Sequence, residues 1–275
     1  MSIASETFTL NNGVVIPKIG FGTWQIPNDD ATLATEHALD AGYRHVDTAY
    51  DYRNELGVGQ AVNASSIPRE EIFVTTKIPA SCKSYDEAKG IIEESLDYLD
   101  VEYIDLLLIH APKPWSEMFK NTSNFYFEEN LCVWKAMEEA YENGLLKSIG
   151  VSNFTEDDVQ NILDNSSTAP AVNQIKYHIG YTQDSIVEHC QNHGILIEGY
   201  SPIATGKLLK NEDIAAIAQH YQKSVPQLCI RYALQHNVLP LPKSTHREYI
   251  IQNADVDFEI SQEDMDTLDQ MKSDS

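Results

Sequence analysis

Eight times along this chain of 275 residues a short apolar run is followed by an amphipathic segment, and that alternation constrains the fold more than any other property. The apolar runs occupy 18–24, 44–49, 71–78, 104–110, 147–153, 171–177, 196–202 and 238–243. Between and after them, residues 30–41, 54–62, 85–99, 129–143, 155–165, 183–193, 212–235 and 246–254 carry apolar side chains at helical spacing. Strands alternating with helices favour parallel βαβ units over a bundle or a sandwich, and eight of them make a (β/α)8 barrel. The expected fold is therefore an α/β TIM barrel, with residues 1–275 as one domain. FTLNNGVVIPKI, ahead of the first barrel strand, turns on Asn11-Asn12-Gly13 and reads as a β-hairpin capping the barrel bottom.

Several function classes are disfavoured. The N-terminus MSIASETFTL has neither a basic nor an apolar leader segment, and no apolar run approaches membrane-spanning length, so a cytoplasmic protein is expected. Cys82, Cys132, Cys190 and Cys229 stand singly, which suits reduced thiols better than a disulfide scaffold or a zinc site. The sequons at Asn63, Asn121, Asn153 and Asn165 then read as chance matches. Nineteen basic against forty-two acidic residues give a net charge of −23, which opposes binding to nucleic acid or an anionic bilayer.

In a barrel the residues that finish the strands gather around one mouth, so polar groups there are the candidates for chemistry. The second run closes on Asp47, the third on Lys77 and the fourth on His110. Singly, each has an ordinary explanation as a turn cap, a snorkelling cation or a core histidine. Together they do not, because a lone charge beside a barrel core is costly unless paired. An Asp47–Lys77 ion pair removes that cost, and a lysine kept cationic favours ionisation of a nearby phenol. Tyr52, on the loop after the second strand, is within reach, which would make it a general acid.

Other readings are weaker. Asp47 and His110 fall short of a metal set, and His189/His193 lack the glutamate of HExxH. Gly20/Gly22 and Gly57/Gly59 mimic half of a dinucleotide fingerprint without its third glycine. Lys243, Ser244 and Arg247, between the eighth strand and the last barrel helix, are placed where barrels hold phosphate. Ser152, Asn153, Asn173 and Gln174 offer hydroxyl and amide groups suited to a carboxamide, and Tyr200 with Ser201 adds an aromatic face for a planar ring. A nicotinamide dinucleotide laid across the mouth is the coherent ligand. The long insertion APKPWSEMFKNTSNFYF carries Trp115, Phe119, Phe125, Tyr126 and Phe127, and reads as a pocket lid or as a spacer.

From GFGTW through DTAYDYRNE, TTK, DLLLIH, GVSNF, NQIKYH, GYSP and PKS to Asn253, the chain resembles the aldo-keto reductases along essentially its whole length. The resemblance implies a TIM barrel that binds NADPH or NADH in extended form and reduces aldehydes and ketones. It implies Tyr52 as proton donor, Lys77 as the residue lowering its pKa, Asp47 as the partner of that lysine and His110 as the group orienting the carbonyl. Gly22, Thr23, Asp47, Ser152, Asn153, Gln174, Tyr200, Ser201, Lys243, Ser244, Arg247 and Asn253 become cofactor contacts, and Trp24, Tyr50, His110 and Trp115 pocket walls, while Asp51 stays a solvated or capping loop residue. No metal is implied; the partner is a small carbonyl compound and the chain a monomer.

Three departures shape the substrate expectation. Tyr249 stands where NADPH-preferring members have arginine, and His246 occupies another often basic position, so NADH remains open beside NADPH, with Arg247 as a substitute cation. The short tail resembles the compact microbial branch that includes 2,5-diketogluconate reductases and glyoxal or methylglyoxal reductases. Ala111 replaces a common tryptophan and predicts a wider pocket. The alternatives are a Schiff-base lyase using Lys77, and a non-catalytic barrel that senses NADP(H).

Overall fold

The computed structural model describes residues 3–118, 120 and 124–272. Phe119 of the insertion and the sequon at Asn121 lie outside them. Two strands, β1 (Thr7–Thr9) and β2 (Val15–Pro17), form the antiparallel hairpin, which turns at Gly13 with φ +86°. Eight strands follow: β3 (Phe21–Gly22), β4 (His45–Asp47), β5 (Phe73–Ile78), β6 (Leu106–Ile109), β7 (Ile149–Ser152), β8 (Val172–Lys176), β9 (Leu196–Tyr200) and β10 (Leu239–Leu241). They pair in parallel in sequence order. The sheet returns on itself where Gly20 N–H donates to Pro240 O (3.1 Å) and Gly22 N–H to Pro242 O (3.0 Å). The expected (β/α)8 barrel is the observed architecture.

The helices between strands are α1 (Asn28–Asp40), α2 (Glu55–Ala64), α3 (Tyr85–Leu99), the short α4 (Trp115–Met118), α5 (Phe127–Glu142), α6 (Glu156–Asn165), α7 (Asp184–Asn192), α8 (Glu212–His220) and α9 (Val225–Gln235). After β10 come α10 (Arg247–Ala254) and α11 (Gln262–Asp269). Helix starts carry their sequence signals: Ser84 caps α3, and capping boxes Thr155/Asp158 and Ser224/Gln227 open α6 and α9. Among the described residues no helix is long and apolar enough to cross a membrane.

Alternation along the strands sorts side chains into two cores. Val46, Val74, Ile78, Leu107, Ile109, Val151, Ile175 and Ile197 face the helices. Phe73, Leu106, Leu108, Val172, Leu239 and Leu241 face the barrel interior, joined there by Leu10 and Ile16 of the hairpin segment. Each fully buried aliphatic side chain contributes about 1.5–3 kcal/mol relative to exposure. Asn11 and Asn12 of the hairpin donate to Pro170 O (2.8 Å) and Lys147 O (3.0 Å), just ahead of β8 and β7, so the hairpin covers the N-terminal end of the barrel as expected. Going up the inward positions, polarity replaces apolar bulk: Phe73, Thr75, Lys77 on β5; Leu106 and Leu108 on β6, then His110; Val172 and Gln174 on β8; Leu196, Glu198, Tyr200 on β9. The period of two that builds the barrel also delivers the polar groups to its open end.

The glycine pairs have structural work. A Cβ on Gly57 would lie 2.5 Å from Asn28 O and one on Gly59 2.3 Å from Leu99 O, so α2 packs flush on its neighbours through them.

Candidate active site

Lys77 is fully buried, and three oxygens ring its ammonium: Asp47 Oδ1 and Oδ2, both at 2.8 Å, and Thr48 O at 2.8 Å. Burial alone would pull this lysine down, but Asp47 and Tyr52 outweigh it and hold its pKa above the ordinary value, so it is a cation. The Tyr52 hydroxyl stands 3.5 Å from Nζ. Burial dominates that phenol and raises its pKa, while Lys77 pulls the other way. The expected net lowering by Lys77 is thus outweighed by desolvation, and Tyr52 keeps its proton at neutral pH. His110 packs edge-on against Tyr52 at 5.5 Å between ring centroids. Burial lowers its pKa, and the nearby Asp51 carboxylate opposes that shift, which leaves a neutral imidazole.

Local turns set these positions. A 3₁₀ turn at Tyr50–Tyr52 follows β4, and Arg53 in the left-handed region (φ 59°) ends it. Asn54, at the start of α2, makes no cap bond. Its buried amide instead donates to Thr23 O (3.0 Å) and Ile26 O (2.9 Å) and accepts from Thr48 Oγ1 (2.6 Å), clamping the β3 and β4 loops together.

Beneath the mouth lies a second polar layer. Gln174 Nε2 donates to Asp47 Oδ2 (2.8 Å) and to Glu198 Oε2 (2.7 Å). Glu198 is fully buried; burial, then the Asp47 charge, push its pKa up to about 8, so it is a neutral acid at pH 7. His45 lies 4.0 Å from Glu198 Oε1, and burial pulls its pKa down to about 4. Glu198 and His45 carried no signal in sequence, because each looks like any residue inside a strand.

Above this floor opens a cavity of about 720 Å³. Of the expected site residues it brings together Gly22, Trp24, Asp47, Tyr52, His110, Trp115, Ser152, Asn153, Gln174, Tyr200, Ser201, Lys243 and Asn253. Asn153 is locked: its Nδ2 donates to His110 O (3.0 Å) and Ser152 Oγ (3.0 Å), and its Oδ1 accepts from Tyr200 Oη (2.7 Å). Ser244 and Arg247 flank Lys243 at the start of α10 but do not line the cavity. No side chain caps that helix; Ser244 Oγ accepts only from His246 N–H (3.0 Å), so the first amides of α10 are left to bind an anion.

Two expected contacts fall elsewhere. Thr23 is buried and holds Asp47 O through its N–H (3.0 Å) and Oγ1 (2.9 Å), which joins β3 to β4 instead of lining the cavity. Tyr50 turns outward, its hydroxyl bonded to Glu94 on α3 at 2.5 Å, and does not line this cavity. Asp51, read as a solvated or capping residue, lines the cavity instead, its Oδ2 3.7 Å from His110 Nδ1. Gln25, Ile203, Thr205 and Ile230 also line it and were not foreseen, since nothing in their local patterns marks them. Trp115, in the insertion, lies edge-on to His110 at 5.1 Å. Tyr126, from the same insertion, donates to Glu117 Oε1 (2.9 Å). No group of three or more potential metal ligands occurs among the described residues.

The chain is similar to known proteins along nearly its whole length. Residues 18–273 match the aldo/keto reductase family. The glyoxal reductase of Bacillus subtilis (strain 168) is 39% identical over 271 residues, covering 98% of this chain and 94% of that one. The crystal structure of an aldo/keto reductase from Brucella melitensis superposes with a TM-score of 0.90 at 37% identity, covering 98% of each chain. An aldo-keto reductase of Bombyx mori, solved in complex with NADP, gives a TM-score of 0.86 at 34% identity over 96% of this chain and 92% of that one. Fold and similarity agree: the chain belongs to the aldo/keto reductase family and is an NAD(P)H-dependent oxidoreductase that reduces carbonyl groups.

Proposed function

We propose that the protein reduces small dicarbonyls and sugar-derived aldehydes and ketones to alcohols, with NADPH as reductant and Tyr52 as the proton donor. The observation that carries this reading is the Lys77 ammonium, fixed by Asp47 and Thr48 and set 3.5 Å from the Tyr52 hydroxyl. Tyr52 enters the reaction protonated, because burial holds its phenol neutral. As the carbonyl oxygen gains negative charge, the Tyr52 proton moves to it, and the phenolate left behind faces a full positive charge that cannot leave. Asp47 keeps that charge in place. His110, a neutral imidazole, orients the carbonyl oxygen beside Tyr52.

The residues fit a nicotinamide dinucleotide. Ser152, Asn153 and Gln174 would hold the carboxamide, the Tyr200 ring would stack on the nicotinamide, and Lys243 with the uncapped start of α10 would take the phosphate end. Bound there, the cofactor supplies the hydride to the carbonyl carbon. Arg247, exposed beside Lys243, supplies the cation that Tyr249 does not, and this supports NADPH over NADH. Lys77 as a Schiff-base nucleophile is disfavoured, since a cation with three oxygen partners has no free electron pair.

Oxidation of NADPH and of NADH, followed in parallel with methylglyoxal and a sugar-derived ketone, tests this. Tyr52→Phe is expected to lose a factor of ~10²–10⁴ in kcat. Equal rates for the two proteins would overturn the assignment.

A further inference from the structure

We propose that Asp51 sets the charge class of the substrate, so that the site takes neutral hydroxylated or cationic carbonyl compounds and rejects those bearing a carboxylate or phosphate beside the carbonyl. The inference rests on the carbonyl-reducing reading of the cavity and deepens it.

Asp51 belongs to the 3₁₀ turn after β4, one position before Tyr52, and lines the cavity with Trp24, Tyr52, His110 and Trp115. Its carboxylate is 3.7 Å from His110 Nδ1, too long for a hydrogen bond, and His110 Nδ1 has no hydrogen-bond partner among the described residues. Among the described residues no lysine or arginine forms an ion pair with it. Arg53, two positions on, lies over the Tyr50 ring at 5.4 Å. Lys77 is committed to Asp47 and Thr48. Lys243 leaves from β10, with β3 between it and β4. The end of the cavity that holds Tyr52 and His110 therefore carries one uncompensated charge, and it is negative.

The side chain is 35% exposed, so it is partly desolvated and its field is less damped than in open water. A carbonyl whose oxygen is held between Tyr52 and His110 puts its neighbouring substituent beside this carboxylate. A hydroxyl or an ammonium there donates to Asp51, whereas a carboxylate or phosphate meets like charge at short range. The net charge of −23 adds a weaker repulsion that acts on every anion approaching the molecule. Only the local part depends on Asp51.

The test uses the full chain with NADPH and three small aldehydes of different charge: methylglyoxal (neutral), glyoxylate (anionic) and betaine aldehyde (cationic). Values of kcat/KM are compared for wild type, Asp51→Asn and Asp51→Glu. Asp51→Asn is expected to raise the glyoxylate-to-methylglyoxal ratio about tenfold and to lower the betaine aldehyde-to-methylglyoxal ratio by a similar factor. Asp51→Glu should keep the wild-type order, and about 0.5 M KCl should narrow the wild-type gap more than that of Asp51→Asn. Unchanged ratios in Asp51→Asn, or an equal fall for all three aldehydes, would overturn the proposal and leave Asp51 as a support for His110. Failure of wild type to reduce any of the three would overturn the functional reading itself.

Discussion

Glu198 sits at the centre of the barrel with Asp47 on one side and His45 on the other, bridged to Asp47 by the Gln174 amide. Its folded pKa of about 8 stands far above the ordinary 4.5, because burial penalises the anion and Asp47 repels it. Between those two values the unfolded chain has lost this proton and the folded chain still holds it. The contribution of Glu198 is therefore complete below about pH 4.5 and is lost as pH rises through about 8. His45, pulled down from 6.5 to about 4, acts on the acid side: its contribution is present above about 6.5 and lost as pH falls through about 4. Glu198→Gln should therefore gain on wild type in urea-denaturation stability as pH is raised from about 5 to about 8. Parallel stability curves would show that Glu198 titrates alike in both states. Asp47, Lys77 and His110 were legible in the sequence because a charged or imidazole group ending an apolar run is conspicuous. Asp51 and Tyr50 were not, because only the three-dimensional turn decides which faces the cavity.

Helix α2 shows a contest between local propensity and packing. In isolation, alanine is favoured over glycine in a helix by about 1 kcal/mol, so Gly59→Ala would stabilise. In the barrel the new methyl would meet Leu99 O at 2.3 Å, and a backbone carbonyl cannot step aside as a side chain can. Overpacking typically costs about 1–3 kcal/mol, so the expected sum is a net loss of up to about 2 kcal/mol in chemical denaturation. A stabilised Gly59→Ala would show that α2 and α3 are free to separate. The strands and helices themselves were legible from periodicity. The purpose of Gly57 and Gly59 was not: their partners, Asn28 and Leu99, lie in other elements, and the local string resembles half of a nucleotide motif.

At the scale of the whole molecule, a chain of net charge −23 must admit a polyanionic cofactor. The positive charge at Lys243 and Arg247 is local, whereas the repulsion acts over the Debye length of about 10 Å at 0.1 M salt and farther at lower salt. Association of NADPH, measured by stopped-flow fluorescence, should accelerate as salt is raised from low ionic strength, until screening of Lys243 reverses the trend. A monotonic fall from the lowest salt would mean that the basic cluster outweighs the rest of the surface. The closed barrel was foreseeable from eight repeats of one pattern, but the bonds that join its ends were not, since β3 and β10 stand at opposite ends of the chain. That joint rests on Phe21–Gly22 and two hydrogen bonds to Pro240 and Pro242, and Gly22, Leu241 and Pro242 are also cavity walls. A dinucleotide lying there would bridge the joint like a staple, and the lifetime of the folded chain would then track the supply of nicotinamide cofactor around it.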